Sequence, residues 1–308
     1  MLPERTDTGR CRGRQPTPRA RFEAANPTPP GLETRPCNTD ALPSKFGTPM
    51  CTLAIYFKVA PEWPVIIAAN RDEFLDRPAT DPALLSDDPQ IVGGKDLRAG
   101  GTWLGLNEYG LVAGLLNRRP AEESNPNAHS RGMLCLDALR RSTAAHAARF
   151  AGAERGCDYN PFNLLMASRE EAYVAYNRGS HIQVVSLTPG LHLLTNLDIN
   201  DFECPKISRA YGRFAELAER PEFRDDPVGA QSALGALLAD HSTQLDSRTG
   251  RPNSLCLHLD GYGTRSSSLI FLGMRGEVCH RFAAGAPCAT PYKGAMVPAH
   301  SSSFQGEK

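Results

Sequence analysis

The residue best suited to do chemistry in this sequence is Cys51, a cysteine that directly follows a methionine, Met50. If translation begins at Met50 and an aminopeptidase removes it, Cys51 carries a free α-amino group beside its thiol. An unperturbed thiol has a pKa of about 8.5 and an α-amine a pKa of about 8, so the neutral amine can accept the thiol proton. The sequence therefore predicts a nucleophile and its base in one residue. An ordinary buried cysteine at the start of a strand is the alternative.

A second polar group, Asn70-Arg71-Asp72-Glu73, follows the apolar run at residues 65–69. If that run pairs with the strand that begins at the cysteine, these side chains lie beside the thiol. Arg71 can then lower the thiol pKa or bind a substrate carboxylate, and Asp72 can orient the α-ammonium group. Asn70 can donate to an oxyanion, and Glu73 is a further candidate substrate contact. An exposed turn with its charges paired in water is the alternative.

Other catalytic arrangements find little support in the sequence. The glycine pairs at 93–94 and 100–101 suit tight turns beside a pocket, but they lack the spacing of phosphate or dinucleotide loops. No Gly-x-Ser-x-Gly frame is present. Among nine cysteines and eight histidines there is no CxxC, HxxxH or HExxH spacing, so no metal site is expected. Cys204-Pro205 is a short motif sometimes linked to haem, although a proline that begins a helix is the favoured interpretation.

Composition and charge argue against several classes of function. Lysine plus arginine and aspartate plus glutamate each total 34, so the zero net charge favours neither nucleic acid nor an anionic membrane as partner. No apolar run approaches the roughly 20 residues needed to cross a bilayer. With 41% hydrophobic residues and scattered cysteines, the sequence predicts a globular protein in a reducing compartment. We expect a cytoplasmic location and a small-molecule substrate or ligand.

The two ends of the chain differ from its middle. Residues 1–49 hold nine of the 25 prolines and almost no apolar clusters, which predicts a disordered extension. A pro-peptide is a second interpretation, and upstream sequence translated ahead of a true start at Met50 is the favoured third. One domain is expected over residues 50–297, followed by a disordered tail over residues 298–308.

The first part of this domain has the pattern of two hairpins. Residues 51–59 and 65–69 have strand composition and are joined by a turn at 61–64, and residues 102–107 and 111–116 form the second pair. Because residues 65–69 are apolar without alternation, that strand is expected to be covered on both faces.

The later part predicts helices that are grouped apart from runs of strands. A helix is predicted over residues 131–150 with Ser130 as its N-cap. Four strands in an antiparallel meander follow, then two helices and three further strands. This order indicates stacked antiparallel sheets with outer helices, an α+β arrangement. The predicted ranges are 162–168, 172–176, 182–186 and 191–195 for the meander, 206–219 and 228–241 for the helices, and 254–259, 267–272 and 278–282 for the last strands.

Ten short motifs in order make the sequence similar to the NRDE family, also called the transport-and-Golgi-organisation family. Together they cover nearly all of residues 50–297. They are Met50-Cys-Thr-Leu53, Asn70-Arg-Asp-Glu73, Gly93-Gly-Lys95, Gly100-Gly-Thr-Trp-Leu-Gly105, Leu116-Asn-Arg-Arg119, Ser130-Arg-Gly132, Tyr159-Asn-Pro-Phe-Asn163, Thr195-Asn196, Pro205-Lys206 and Tyr262-Gly-Thr-Arg-Ser-Ser267.

The resemblance implies the fold of N-terminal-nucleophile hydrolases, a four-layer αββα sandwich of two antiparallel sheets with outer helices. It implies that Cys51 is the nucleophile and that Arg71 and Asp72 are its polar neighbours. Asn196 and Arg265 are further catalytic candidates, and Asn117 and Trp103 are candidate substrate contacts. Two features depart from the family pattern: the chain continues ahead of the Met-Cys pair, and the usual Trp-Pro-Lys is here Cys204-Pro-Lys206.

The leading hypothesis is a cysteine amidohydrolase that cleaves a linear C–N amide through an acyl-enzyme, with no cofactor expected. The runner-up is a non-catalytic carrier that holds haem or an acylated small molecule in the same pocket. A factor in Golgi organisation and protein secretion is a third hypothesis, which rests on the family association alone because fold does not determine function.

Overall fold

The structure is a computed structural model that describes residues 51–118, 124–242, 253–299 and 302–303. The extension predicted at residues 1–49 and most of the tail predicted at residues 298–308 lie outside the described residues.

The described chain alternates groups of strands with groups of helices. In chain order the elements are β1 (Thr52–Ala60), β2 (Trp63–Phe74), β3 (Ala83–Asp87), β4 (Gln90–Lys95), β5 (Thr102–Asn107), β6 (Val112–Asn117), α1 (Arg131–Leu139), α2 (Ala144–Ala153), β7 (Phe162–Ala167), β8 (Ala172–Asn177), β9 (Ile182–Ser186), β10 (Gly190–Leu194), α3 (Pro205–Ala218), α4 (Pro221–Asp225), α5 (Gln231–Leu238), β11 (His258–Leu259), β12 (Tyr262–Leu272), β13 (Glu277–Ala283), β14 (Lys293–Gly294) and β15 (Ser302–Ser303).

The strands form two sheets. The first has the order β10-β1-β2-β12-β13-β14, with β11 paired to β12 and β15 paired to β13. The second runs β3-β4-β5-β6-β7-β8-β9 in sequence order. All named pairs are antiparallel except β13 with β15. The sheet order places β1 and β2 inside the first sheet, where backbone groups on both edges of each strand are paired.

Three apolar layers hold the elements together. Because strand side chains alternate between faces, Leu53 and Ile55 pack between the sheets whereas Ala54 and Tyr56 pack against the helices. Helices α3 to α5 cover the outer face of the first sheet, and α1 and α2 cover the outer face of the second. The expected four-layer αββα sandwich is therefore confirmed by the packing.

The helices follow from local sequence signals. Ser130 caps α1 by accepting a hydrogen bond from the backbone nitrogen of Met133, as its sequence position predicted. Pro205 begins α3, where its missing N–H leaves no bond unmade. The buried face of α3 repeats at helical spacing through Ile207, Ala210 and Phe214. No described helix combines the length and the hydropathy that a bilayer crossing requires.

Several predicted boundaries were wrong. β2 continues through the polar group at residues 70–73, which had been predicted to follow the strand, and its residues 63–72 are buried. The expectation that residues 65–69 are covered on both faces is confirmed. The predicted helix at 131–150 is two helices, with a break between Leu139 and Ala144. α4 was missed, as were β3 and β4 in a proline-rich stretch.

The meander was also wrong in one strand. β7, β8 and β9 pair in sequence as predicted, but β10 leaves them and pairs with β1 in the other sheet. Of the strand predicted at residues 254–259, only His258–Leu259 is a strand, while β12 begins five residues earlier than predicted, at Tyr262.

Candidate active site

Cys51 lies at the start of β1, against the beginning of the polar part of β2. Its Sγ atom accepts from the backbone nitrogen of Asp72 at 3.3 Å and donates to the carbonyl oxygen of Asp72 at 3.4 Å. Burial, and then the negative charge of Asp72, raise the pKa of the Cys51 thiol to about 12. In the 308-residue chain, where the nitrogen of Cys51 is part of a peptide bond, the thiol is therefore protonated near neutral pH.

The strand pairing brings three predicted site residues to one end of the first sheet. β1 pairs Leu53 with Leu194 of β10 on one side and with Ala69 of β2 on the other. The last β1–β2 pair is Thr52 with Asn70, so Arg71 follows opposite Cys51, while Asn196 lies two residues beyond Leu194, past the end of β10 at the same end of the sheet. Leu53, Leu194 and Ala69 all face the space between the sheets, so the three site residues lie at the end of that space.

Asn196 is buried, and neither atom of its amide has a hydrogen-bond partner among the described residues. A buried amide without partners costs free energy, so its retention points to a ligand or water as the missing partner. The turn that carries it is firmly held: Asn163 Nδ2 donates to the carbonyl oxygens of Thr195 at 2.8 Å and Leu197 at 2.6 Å. An amide donor is thus held at the edge of the site.

Arg71 extends from the first sheet to the second. Its guanidinium lies 4.2 Å from the centre of the Trp103 ring of β5, and its Nη2 atom lies 3.6 Å from Glu73 Oε2 and 3.7 Å from Asp96 Oδ2. Burial lowers the pKa of Arg71, and the charge of Glu73 opposes that shift. Arg71, Glu73 and Trp103 therefore come together as predicted candidates, with Asp96 as an addition.

Two further arginines join this group. Arg77 Nε lies 2.7 Å from Asp96 Oδ2. Burial and then the positive charge of Arg77 lower the pKa of Arg131 to about 10, while Glu73 raises it. With Arg71, three arginines face two carboxylates, so the group retains a net positive charge suited to an anionic ligand.

The Asp72 side chain lies on the other face of β2, toward the helices. Thr264 Oγ1 donates to its Oδ1 atom at 2.6 Å, and Lys206 Nζ lies 3.8 Å from its Oδ2 atom. Burial raises the pKa of Asp72 to about 6, against the opposing effects of Lys206 and Thr264. Only the backbone of Asp72 contacts the thiol in the hydrogen bonds described above.

The other predicted residues are placed differently. Asn70 is turned toward the helices: its Nδ2 donates to Leu238 O and Leu255 O, and its Oδ1 accepts from Ser267. Its amide therefore links β2 to α5, to the segment before β11 and to β12. Asn117 is exposed at the end of β6. Because it lies two residues after Leu115, it is on the same face of the strand as Leu115, which packs toward α1 and α2. Neither is brought to Cys51.

Arg265 is the extra residue of a β-bulge in β12. The β12–β2 register shifts between Thr264, opposite Asp72, and Ser266, opposite Arg71. A bulge redirects a side chain and often lies beside a functional site. The Nε atom of Arg265 is buried without a hydrogen-bond partner in the described chain. Arg265 therefore has an N–H group available to bind a ligand at the position along the sheet where Arg71 lies.

Glycines allow the close approaches behind Trp103. A Cβ on Gly94 would lie 2.3 Å from the Trp103 ring. Gly101 has a φ of +70°, and a Cβ there would lie 2.1 Å from the carbonyl carbon of Gly132 at the start of α1. Gly100 and Gly101 have positive φ in the connection before β5, as a tight turn there requires, but Gly93 and Gly94 lie within strand β4, so the turn predicted at that pair was wrong.

Sequence reasoning missed Lys206, Thr264, Asn163 and Arg131 as contributors to the site. Each of these four lies within one of the quoted family motifs, so a signal was present, whereas Arg77 and Asp96, which were also missed, lie in none of them. What it did not reveal is the contact that gives each residue its role, because all four depend on pairing between distant parts of the chain.

Known proteins match this chain over the same part that contains the motifs. Residues 50–281 match the model of the family described as "Transport and Golgi organisation 2". The "Transport and Golgi organization protein 2 homolog" of Bos taurus is 32% identical over 254 residues, which is 73% of this chain and 90% of the relative. The Homo sapiens homolog is 29% identical over 252 residues, with the same two shares.

Among solved structures, penicillin V acylase from Agrobacterium tumefaciens superposes with a TM-score of 0.47 at 11% identity, over 83% of this chain and 100% of that chain. An N-acylethanolamine-hydrolyzing acid amidase ortholog from Caenorhabditis elegans gives a TM-score of 0.47 at 14% identity, over 71% and 92%. Neither likeness is close enough to carry the fold or a function, so the αββα arrangement rests on the packing of the chain itself.

Proposed function

The chain belongs to the Transport and Golgi organisation 2 family, and from this membership and the surroundings of Cys51 we propose an N-terminal cysteine amidohydrolase that cleaves a linear amide. The single observation that carries the proposal is that Cys51, Arg71 and Asn196 lie at the same end of the first sheet, where β1 is flanked by β2 and β10, and that the buried amide of Asn196 has no hydrogen-bond partner among the described residues. The thiol is the nucleophile and the amide an oxyanion donor, while the guanidinium can bind an anionic part of the substrate.

Activation requires that Cys51 become the first residue. Its thiol pKa of about 12 leaves almost no thiolate at neutral pH while its nitrogen is an amide. Removal of the preceding residues supplies an α-amine that accepts the thiol proton. The carboxylate of Asp72, whose backbone contacts the thiol and whose Oδ2 atom lies 3.8 Å from Lys206 Nζ, is the group we assign to orient that amine.

The reaction then proceeds in two steps, acylation of the thiol and hydrolysis of the thioester. The thiolate adds to the amide carbonyl, and the side-chain amide of Asn196 donates to the oxyanion that forms. The α-ammonium returns its proton to the leaving amine as the C–N bond breaks, which leaves a thioester. A water molecule, deprotonated by the same α-amine, attacks the thioester and releases a carboxylic acid and the thiol.

The substrate we expect carries an anionic group beside an apolar part. The positive balance of Arg71, Arg77 and Arg131 over their two carboxylates favours the anion, and the ring of Trp103 offers an apolar surface. Arg265 adds a further cation at the position along the sheet where Arg71 lies.

The test compares the 308-residue chain with a chain that begins at Cys51, made by expression from Met50. The shorter chain contains both sheets and the helices that cover them, so it has the complete core. Each is treated at pH 7.5 with a neutral chloroacetamide, and the labelled cysteines are identified by mass spectrometry. We expect Cys51 to react at least about 100-fold faster in the shorter chain, because the positive charge of the new α-ammonium group beside the thiol opposes the burial and the charge of Asp72 that raise the thiol pKa.

Buried Cys135, which lies outside both the candidate active site and the core between the sheets, is the internal control and should stay unlabelled in both chains. The same two chains are then incubated with a panel of N-acyl amino acids, with Cys51→Ala in the shorter chain as the blank. Labelling of other thiols but never of Cys51 contradicts the proposal, and so does hydrolysis that survives Cys51→Ala.

The alternative is a non-catalytic carrier of haem or an acylated metabolite, and the raised pKa of Cys51 in the 308-residue chain favours it. Cys204 is buried at the N-cap of α3 and packs in the core under the helices, so in this version the arginines, and not Cys204, would contact the ligand. A haem titration without a saturable spectral shift rejects its haem form. A role in Golgi organisation has only the names of the relatives as support, and a pull-down without secretory-pathway partners would leave it without a basis.

A further inference from the structure

A second group of reactive side chains, which does not include Cys51, gathers where three segments meet. His241 follows α5, Cys256 precedes β11, His258 is the first residue of β11, and Cys288 lies between β13 and β14. One nitrogen or sulfur atom from each lies within 4.8 Å of the other three. The segments are far apart in sequence, which is why ligand spacing predicted no metal site.

The three distances among Cys256, His258 and Cys288 are close to those between neighbouring ligands of a tetrahedral ion, and the donor atom of His241 lies within 4.8 Å of each of these. Cys256 Sγ lies 3.6 Å from Cys288 Sγ and 3.7 Å from His258 Nε2, and Cys288 Sγ lies 3.2 Å from His258 Nε2. Zinc bonds of about 2.3 Å to sulfur and about 2.0–2.1 Å to nitrogen set neighbouring donors roughly 3.3–3.8 Å apart. We propose that His241, Cys256, His258 and Cys288 bind one zinc ion.

The backbone around the cluster supports this assignment. The amide of Cys256 donates to Asp240 O at 3.0 Å, which fixes the segment beside His241. His241 Nδ1 lies 3.2 Å from the carbonyl oxygen of Cys256, the kind of contact by which a metal-bound histidine is oriented through its second ring nitrogen. The rings of His241 and His258 are 5.1 Å apart between centres.

Two thiolates and two imidazoles make a complete tetrahedral set with no position left for substrate, so the zinc is structural. Its effect reaches the candidate active site. Leu257, between two of the ligands, donates its amide to Thr264 Oγ1 at 2.9 Å. Thr264 in turn donates to Asp72 Oδ1, and Leu255 O accepts from Asn70. The ion thus fixes the segment that supports the polar end of β2.

The test uses the full chain purified from zinc-supplemented cells without chelator. Elemental analysis should find one zinc per chain in the unmodified protein, and most of it should be lost in Cys288→Ser and His258→Ala. Cobalt(II) exchanged into the unmodified protein should give the visible spectrum of a tetrahedral thiolate site, weakened in Cys288→Ser. Zinc should raise the melting temperature of the stripped unmodified protein but not of these two variants.

Cys51→Ala and His181→Ala are the controls, because both residues lie outside the cluster, and both should keep the full zinc content. Circular dichroism of each variant separates loss of metal from loss of fold, and the titration of stripped unmodified protein does not depend on any variant. Absence of zinc together with no thermal shift overturns the proposal. A Cys256–Cys288 disulfide in protein alkylated before lysis also overturns it, since that bond of about 2.05 Å removes both thiolates.

Discussion

Lys206 Nζ lies 3.8 Å from Asp72 Oδ2, and both side chains are almost fully removed from solvent. Replacing one member of such a pair leaves the other charge buried without compensation. We expect Lys206→Met to lower the free energy of unfolding at pH 7.5 by about 3–5 kcal/mol, measured by urea denaturation. Adding Asp72→Asn to that variant should recover most of the loss. A single variant as stable as the unmodified chain would show that the pair is not buried as described.

The raised pKa of Asp72 predicts a pH dependence with a definite sign. Its value moves from 3.8 to about 6 on folding, so the folded protein holds the proton over a range in which the unfolded chain has lost it. The stability from this group is present below about pH 4 and is lost as the pH rises through about 6. Over that interval the free energy of unfolding should fall by up to about 3 kcal/mol relative to Asp72→Asn. Parallel profiles for the two proteins would contradict the shift.

Asn163 is expected to act on the site through the turn that it holds. Asn163→Leu leaves the carbonyls of Thr195 and Leu197 without their donor, which should cost about 2–4 kcal/mol of stability. Under the proposed function it should also slow acylation of Cys51 by an amide substrate, yet leave chloroacetamide labelling unchanged, because alkylation forms no oxyanion. Stopped-flow acylation and labelling rates measure the two effects.

Asn177 offers the matched control for that experiment. It is equally buried and clamps another turn, donating to Gly156 O and Tyr159 O. Asn177→Leu should therefore lose similar stability and keep the acylation rate. Equal loss of acylation in both variants would mean that Asn163 has only a general structural role.

The turn beneath Trp103 can be tested with a pair of glycines. Gly101 and Gly261 have similar φ values of +70° and +69°. A Cβ added at Gly101 would collide with the backbone of Gly132, whereas a Cβ added at Gly261 would have no atom within 4 Å. Both alanine variants carry the strain of a left-handed residue, about 1–2 kcal/mol. Gly101→Ala should cost about 1–3 kcal/mol more, from overpacking. Thermal unfolding of the two variants measures the difference, and equal losses would contradict the close approach.

Much of the fold could be predicted from the sequence where local patterns decide. The β1–β2 and β5–β6 hairpins, the cap of α1 and the start of α3 all follow from strand composition, turn residues or capping chemistry within a few positions. β10 could not be assigned to its sheet in this way, because its residues suit either partner and only the packed structure selects β1.

The candidate site likewise contains residues that could be predicted from the sequence and residues whose roles depend on the packed structure. Cys51, Arg71 and Trp103 were predicted and are brought together. Asn70 was given a ligand-binding role, but its alternation within β2 turns it toward Leu238 and Leu255, and this could not be known while β2 was thought to end at Ala69. The partner of Asp72, Lys206, comes from a helix whose position over the first sheet no local pattern encodes.

The order of strands in the first sheet also sets when the site can exist during synthesis. β1 and β2 are hydrogen-bonded to β10 and β12, through pairs such as Leu53 with Leu194 and Asn70 with Ser267. A nascent chain that has emerged only through β9 has neither flanking strand, so its first sheet is an unpaired hairpin. Cys51 thus leaves the ribosome well before Asn196 and Arg265 do, and an aminopeptidase or protease acting at this end meets the chain before the surrounding sheet can close around it.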